Sequence, residues 1–305
     1  MNRVELAAAS LCLFGLATGV AAEDQVTLTP QDQSIVVKIG DQEFTTYHYA
    51  PNQPKPYFSP VLAPGGAVIT RPLENPKDHP HHKGIWLSVD EVNGVKFWAE
   101  KGKIVSKSVK ADQVGPIGRL SIKNDWMGPE KPILHEATTV LIYPERLMTF
   151  YTTFTKPADL PTVTFEDTKE GLFGIRFVDS MRGSVGGVIS NADGHTGEKE
   201  CWGKASKWVD YSGKIGDHMY GVTIMDHPAN FRPSRYHCRD YGLFSISPFG
   251  EGAYQGDASK AKPVTLDSQH PELQLTYGLY VHPGDATEGK VAAEYEKYLQ
   301  ETHGK

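Results

Sequence analysis

Gln274-Leu275-Thr276-Tyr277-Gly278-Leu279-Tyr280-Val281-His282 decides the fold class. Leu275, Tyr277, Leu279 and Val281 alternate with Thr276, Gly278, Tyr280 and His282, so an extended chain here turns one face inward. The same grammar recurs along the chain. Ile35-Val36-Val37-Lys38-Ile39, a Gly40-Asp41 turn and residues 44–49 read as an opening hairpin. Further strands are expected at 67–71, 84–89, 103–108, 118–124, 137–143, 147–155, 172–178, 186–190 and 216–225, with Gly, Pro, Asn and Asp between them. One segment has helical spacing: in 288–300, Val291, Ala292, Tyr295, Tyr298 and Leu299 share a face. The expectation is an all-β protein, a large antiparallel β-sandwich capped by a C-terminal helix.

Arg3 followed by the apolar run 6–20, then Val20-Ala21-Ala22 and Glu23-Asp24, has the layout of a cleaved secretory signal. The run is shorter than the ~20 residues a membrane anchor needs. Residues 1–22 are therefore expected to be a signal peptide and 23–305 a single β-sandwich domain, secreted or periplasmic. No Ser/Gly-rich linker, charge block or internal repeat divides 23–305, and the Pro-rich stretch 51–56 reads as a surface loop. The net charge of −6 and the lack of a basic stripe argue against a nucleic-acid partner. No later segment is apolar enough to span a bilayer. Cys201 and Cys238 remain after cleavage, either bridged or as two buried thiols.

Chemistry concentrates at Asp78-His79-Pro80-His81-His82, which holds three of the twelve histidines within four positions. Neutral imidazole is both a titratable base and a common metal ligand. A divalent metal bound by these histidines is one option the residues leave open. Arg71, just upstream, offers a planar fork for a carboxylate or vicinal hydroxyls, or else a salt bridge to Asp78 or Glu74. A second constellation is Tyr236-His237-Cys238-Arg239-Asp240-Tyr241-Gly242, where an extended chain puts His237, Arg239 and Tyr241 on one face and Asp240 on the other. His227 and Asn230 lie in the Asp226-His227-Pro228-Ala229-Asn230 loop before it. Cys201-Trp202-Gly203-Lys204 adds an aromatic platform and a cation, although Trp near a strand end is most often core. The chain has no HExxH helix, CxxC pair, EF-hand loop, serine nucleophile elbow, dinucleotide fingerprint or Walker loop.

Taken together, the DHPHHKGIW run at 78–86, VNGVKFW at 92–98, WGKASKWVDYSG at 202–213, the 226–230 loop and YHCRDYG at 236–242 resemble the PmoA-like bacterial family of unknown function, labelled "methane oxygenase". Ser247-Pro248-Phe249-Gly250 departs from the Asn-Pro-Phe-Gly of that pattern. The label does not carry an activity here, because a particulate methane monooxygenase subunit is a membrane protein. What the resemblance implies is a galactose-mutarotase-like supersandwich, a fold common among carbohydrate-active enzymes.

The expected function is a secreted enzyme acting on a sugar or glycan by hydrolysis, elimination or epimerisation. His79, His81, His82 and His237 would supply acid/base groups, with Arg71, Trp202, Lys204, His227, Asn230, Arg239 and Tyr241 binding substrate. The paired carboxylates of most glycosidases are not evident as a motif. The alternatives are a non-catalytic carbohydrate-binding protein and a His-ligated metal-dependent oxidase. The three differ in what they require of the HxHH loop and His237: convergence on one site, dispensability, or convergence at metal distance.

Overall fold

The alternation at the C-terminal end is realised as the strand Glu272–Pro283, which pairs antiparallel with His218–Asp226 on one side and Leu147–Thr155 on the other. The computed structural model describes residues 25–74 and 76–302. The expected signal peptide and its cleavage point before Glu23 lie outside the described residues. Leu275, Tyr277, Leu279 and Val281 enter the core as the periodicity requires. The other face is covered too. Tyr295 and Tyr298 of the helix Val291–Thr302 pack against Leu141, Tyr143, Leu147 and Met225 on the outside of this sheet. The helix begins three residues later than its spacing suggests. Asp285 accepts the backbone N–H groups of Thr287 and Glu288, and Lys290 is left-handed (φ 51°), so the chain turns before it coils.

Two eight-stranded antiparallel sheets face each other over one apolar cluster. The second sheet runs Val188–Asn191, Trp208–Ile215, His218–Asp226, Glu272–Pro283, Leu147–Thr155, Pro132–Ile142, Ile117–Met127, Lys103–Val114. The first runs Val26–Gln31, Ser34–Ile39, Gln42–His48, Tyr57–Val61, Ile85–Leu87, Phe173–Arg176, Leu243–Ser247, Arg235–Cys238. Phe58, Ile85, Phe173, Ile175, Phe244 and Ile246 face inward from the first sheet, against Ile122, Val140, Phe150 and Ile224 of the second. The mostly-β sandwich with a C-terminal helix is thus what the chain forms. Residues 67–71 differ from expectation: they make only single bridges, Leu62 to Val68 and Thr70 to Phe177. Cys201 and Cys238 are buried, unbridged thiols, and burial pushes Cys201 up to about 11. Among the described residues no helix is long and apolar enough to cross a membrane.

Candidate functional site

Register on the first sheet places unlike segments side by side. His48 lies opposite Tyr57, Tyr57 opposite Trp86, Trp86 opposite Gly174, Gly174 opposite Ser245, and Ser245 opposite His237. Directly opposed residues point to the same side of a sheet, so this row crosses six strands on the outer face. Tyr236 and Cys238 consequently go into the core while His237 turns outward. Three strand spacings of ~4.8 Å separate Trp86 from His237, or about 14 Å at the backbone. Gly174 is small for a reason: a Cβ there would stand 3.2 Å from the indole of Trp86 and 3.3 Å from that of Trp98.

The HxHH loop is tied down over the Trp86 end of the row. Arg71 donates to the carboxylate and carbonyl of Asp78 and to the carbonyl of His79 (2.8 Å). Arg176, fully buried, donates to both oxygens of the same carboxylate (3.0 and 3.1 Å). Burial alone would raise the Asp78 pKa, but the two guanidiniums outweigh it and hold the group below the usual carboxylate range. On the far side Lys55, 1% exposed, donates to the His81 carbonyl and to Glu100, both at 2.7 Å, and Lys83 reaches Glu100 at 3.2 Å. Burial brings Lys55 down to about 8, against the pull of Glu100. His79 (φ 41°) and Glu100 (φ 58°) both sit in the left-handed region, a conformation that costs energy for residues other than glycine.

Four rings then stack in a column. Tyr241 lies on His79 (5.2 Å, 3°), His79 on His82 (4.8 Å, 9°), and His82 on Trp86 (5.2 Å, 16°). The column joins the turn after Arg235–Cys238 to the centre of the row, so the two histidine-bearing segments meet. His82 Nδ1 faces Arg176 Nη1 at 3.3 Å. A guanidinium only donates, so Nδ1 accepts and Nε2 carries the proton. Burial and the neighbouring imidazoles and guanidiniums drive the His82 pKa far down. Burial and the Lys55 charge bring His81 down to about 4. His79 keeps 42% of its side chain exposed; burial and the two guanidiniums lower it, against the pull of Asp78.

At the other end His237 is buried, and its Nδ1 donates to the Lys169 carbonyl at 3.1 Å. The Tyr254 hydroxyl donates to the same carbonyl at 2.8 Å. Two donors on one carbonyl fix the backbone that carries Glu170, whose Oε2 stands 3.9 Å from His237 Nδ1. Burial raises the Glu170 pKa, with the charge of Asp90 adding to it, while 32% of the side chain stays exposed. Burial brings His237 itself down to about 4. Arg239 pairs with Glu198 at 2.9 Å, and its guanidinium lies 5.6 Å from the Tyr241 ring, as that of Arg176 does at 4.7 Å. Trp202 meets His237 edge-on at 5.9 Å.

With this geometry the chain can be set beside known proteins. Residues 34–296 match a family described as "Family of unknown function (DUF6807)". The chain belongs to that family. No curated protein matches it. Among solved structures it is similar to the GH36 alpha-galactosidase AgaA from Geobacillus stearothermophilus, at 7% identity and a TM-score of 0.45, covering 87% of this chain and 42% of that one. It is also similar to the Slr1438 protein from Synechocystis sp. PCC 6803, at 9% identity and a TM-score of 0.43, covering 87% of this chain and 99% of that one. A putative kojibiose phosphorylase from the human microbiome aligns at 8% identity and a TM-score of 0.34, over 92% of this chain and 34% of that one. The chain spans less than half the length of the alpha-galactosidase.

In this DUF6807 member several residues expected to bind substrate have other partners. Arg71 spends its guanidinium on the loop. Lys204 stands half exposed beside Glu200 at 3.8 Å. Asn230 braces the second sheet: its amide donates to Asp226 and the Thr276 carbonyl and accepts from the Thr276 N–H. His227 meets Tyr298 of the C-terminal helix edge-on at 5.8 Å, on the outside of the second sheet. Both belong to the opposite layer because the 226–230 loop leaves from His218–Asp226. Metal ligation by the loop does not fit either. The acceptor nitrogen of His82 is taken by Arg176, and His79 and His82 stack as parallel rings that cannot both aim at one ion. Among the described residues no three His, Cys, Asp or Glu are grouped to hold a metal. The sequence reading also missed Lys55, Glu100, Glu170 and Arg176. Lys55 falls in the stretch 51–56 that reads as a surface loop, yet its side chain runs inward to Glu100. Glu170 lies in the irregular 167–171 segment, where only its position behind a twice-bonded carbonyl marks it.

Proposed function

We propose that the outer face of the first sheet, between the HxHH loop and the 236–242 turn, binds a sugar or glycoside and transforms it by proton transfer. The observation that carries this reading is the stacked column Tyr241–His79–His82–Trp86, which sets a half-exposed imidazole against Tyr241, a ring near enough to Glu170 to feel its charge, and the Glu170 carboxyl is partly exposed with a raised pKa. Glu170 acts as the acid and His79 as the base. Hydrolysis, elimination and epimerisation all need that pair of roles. Trp202 offers aromatic surface to the ring of a sugar, and the Tyr241 hydroxyl and the Arg239 guanidinium offer donors to its oxygens. His237 positions Glu170 through the Lys169 carbonyl, and His82 holds His79 by stacking. The expected role of the histidines as a uniform acid/base set thereby narrows to one.

The PmoA-like resemblance and the galactose-mutarotase-like supersandwich it implies belong to this proposal, as does a single domain over 23–305. A non-catalytic sugar-binding protein is separated from the enzyme by one comparison. His79→Asn, which suits the left-handed backbone there, should keep glycoside binding and lose turnover on a panel of glycosides and uronates. If His79→Asn turns over every substrate of the panel at the wild-type rate, the catalytic assignment fails.

Export is part of the same reading. Expressed with its native N-terminus, the protein is expected outside the cytoplasm with Glu23 as its first residue. Edman sequencing that returned Met1 or Asn2 from exported protein would contradict it.

A further inference from the structure

We infer that Asp90 is a further positioning residue of this site: it stands opposite Glu170 as a second carboxylate and holds that group in the protonated form an acid needs. The inference rests on the reading of Glu170 above. The backbone places the two together. The ladder that sets Trp86 opposite Gly174 runs on beyond its strands, with the Ser88 N–H donating to the Leu172 carbonyl and the Asp90 N–H to the Glu170 carbonyl, both at 2.8 Å. The Asp90 carbonyl in turn accepts the Phe97 N–H at 2.9 Å, so its backbone is held from both sides. Directly opposed residues of an antiparallel ladder carry their side chains on one face, with Cβ atoms about 5 Å apart. Trp86 and Asp90 are an even number of residues apart, so that face is the outer one of the row. Asp90 keeps 18% of its side chain exposed and Glu170 32%, so both border the open surface.

The charges around the pair give the two carboxyls different parts. Lys96 Nζ stands 3.4 Å from Asp90 and 3.2 Å from Glu91, so one cation serves two carboxylates and Asp90 carries its negative charge in an ion pair. A second negative charge beside it is what Glu170 would add by ionising. Two cations reach Glu170, the exposed Lys169 and Arg239, and Arg239 is already paired with Glu198 at 2.9 Å. His237, 3.9 Å away, is neutral at ordinary pH because burial brings it down to about 4. The Tyr241 and Tyr254 phenols that feel the Glu170 charge are held neutral by burial as well. Burial raises Glu170 most; Lys169 and Arg239 pull it down and Asp90 pushes it up, and the balance stays above the usual carboxylate range. A like charge on a facing chain is one of the standard ways to keep a carboxyl protonated, and unlike surroundings are how two carboxyls on one surface come to play different roles.

Carbon-13 NMR titration of the glutamate carboxyls, with the Glu170 signal assigned through Glu170→Gln, tests this without any substrate. Asp90→Asn keeps the shape of the side chain and an acceptor for Lys96, and should lower the Glu170 midpoint by about half a pH unit or more, what one charge at this distance does even through water. Lys96→Met strips Asp90 of its cation and should raise the midpoint. Glu91→Gln removes the other carboxylate that Lys96 serves and should leave it in place. A thermal melt of each variant checks folding; a merely structural role for Asp90 would lower the melt without moving the midpoint. A Glu170 midpoint that stays put in Asp90→Asn, or falls equally in Glu91→Gln, overturns the inference, and so does one that fails to rise in Lys96→Met. On any substrate found with the panel, the alkaline limb of the pH–rate profile should move down with the midpoint in Asp90→Asn. A shifted midpoint without turnover of any panel member by wild type leaves the carboxyl pairing standing and overturns the reading of the site as an enzyme.

Discussion

Glu170→Gln should cut turnover by about a hundredfold or more, the usual worth of a positioned general acid, and leave the melting temperature within a degree or two. The side chain is 32% exposed and makes no hydrogen bond on which neighbouring elements depend, so the amide is accommodated where the carboxyl was. The pH profile gives a sharper form of the same claim. His79 must be neutral to accept a proton, and its pKa is lowered from the usual histidine value. Glu170 must be protonated to donate one, and its pKa is raised from the usual carboxylate value. Activity is therefore expected to rise through an acid limb below about pH 6.5 and to fall through an alkaline limb above about pH 4.5, those being the unperturbed values. Glu170→Gln should remove the alkaline limb. His237→Ala should shift that limb, because losing one of the two donors on the Lys169 carbonyl frees the backbone carrying Glu170. A residue with only a stabilising role would lower the yield of folded enzyme without moving the limb.

The largest effect on stability is expected far from this site, at His282. Its Nε2 is 2.8 Å from Asp210 Oδ1 and its Nδ1 is 3.1 Å from the Pro283 carbonyl, and both side chains are fully buried. Both ring nitrogens thus face acceptors, so the ring is an imidazolium paired with a carboxylate. Burial opposes that charge, but the hydrogen bond and charge of Asp210 outweigh it and leave the His282 pKa above its ordinary value. Thr223 donates to the same carboxylate oxygen at 2.8 Å. Gly221 and Gly289 close over the ring, where a Cβ on either would come within 2.2 Å of it. His282→Ala leaves Asp210 buried without its counter-ion and should cost about 3–5 kcal/mol, lowering Tm by roughly 10 °C. The sign with pH follows from the raised pKa. The pair contributes fully below the unfolded-state value of about 6.5 and its contribution fades as pH rises through the folded-state value. Wild type should lose stability between neutral and alkaline pH, and His282→Ala should lose less over the same range. Melting curves in matched buffers check both statements.

How much of this was legible in the sequence depends on whether one face of an element was left to solvent. Leu275 to Val281 announced their strand because they alternate with smaller and more polar residues. Tyr57–Val61 and Leu243–Ser247 gave no such signal, since they are buried on nearly every residue and alternation disappears when both faces are covered. The outward turn of His237 followed from counting residues in Tyr236–Cys238. Its service to Glu170 did not, because it passes through the carbonyl of Lys169, 68 residues away in sequence. Asp226-His227-Pro228-Ala229-Asn230 shows the converse error. Its residue types suit a binding site, but Asp226 and Asn230 hold the 226–234 turn together, Asn230 also ties it to Thr276, and His227 accepts the Ala229 N–H. His282 looked like a solvent-facing strand residue, and only the loop folded back over it, through Gly289, makes it a buried cation.

The central claim is that the HxHH loop and the 236–242 turn form one sugar site around Tyr241 and Glu170. Hydrogen–deuterium exchange on the protein, with and without the tightest-binding member of the panel of glycosides and uronates, tests it most directly. The account predicts slowed exchange in 78–86, 167–171 and 236–242 together, lost in Tyr241→Ala. Protection confined to one of these segments, or centred on the 226–230 loop beneath the C-terminal helix, would contradict it.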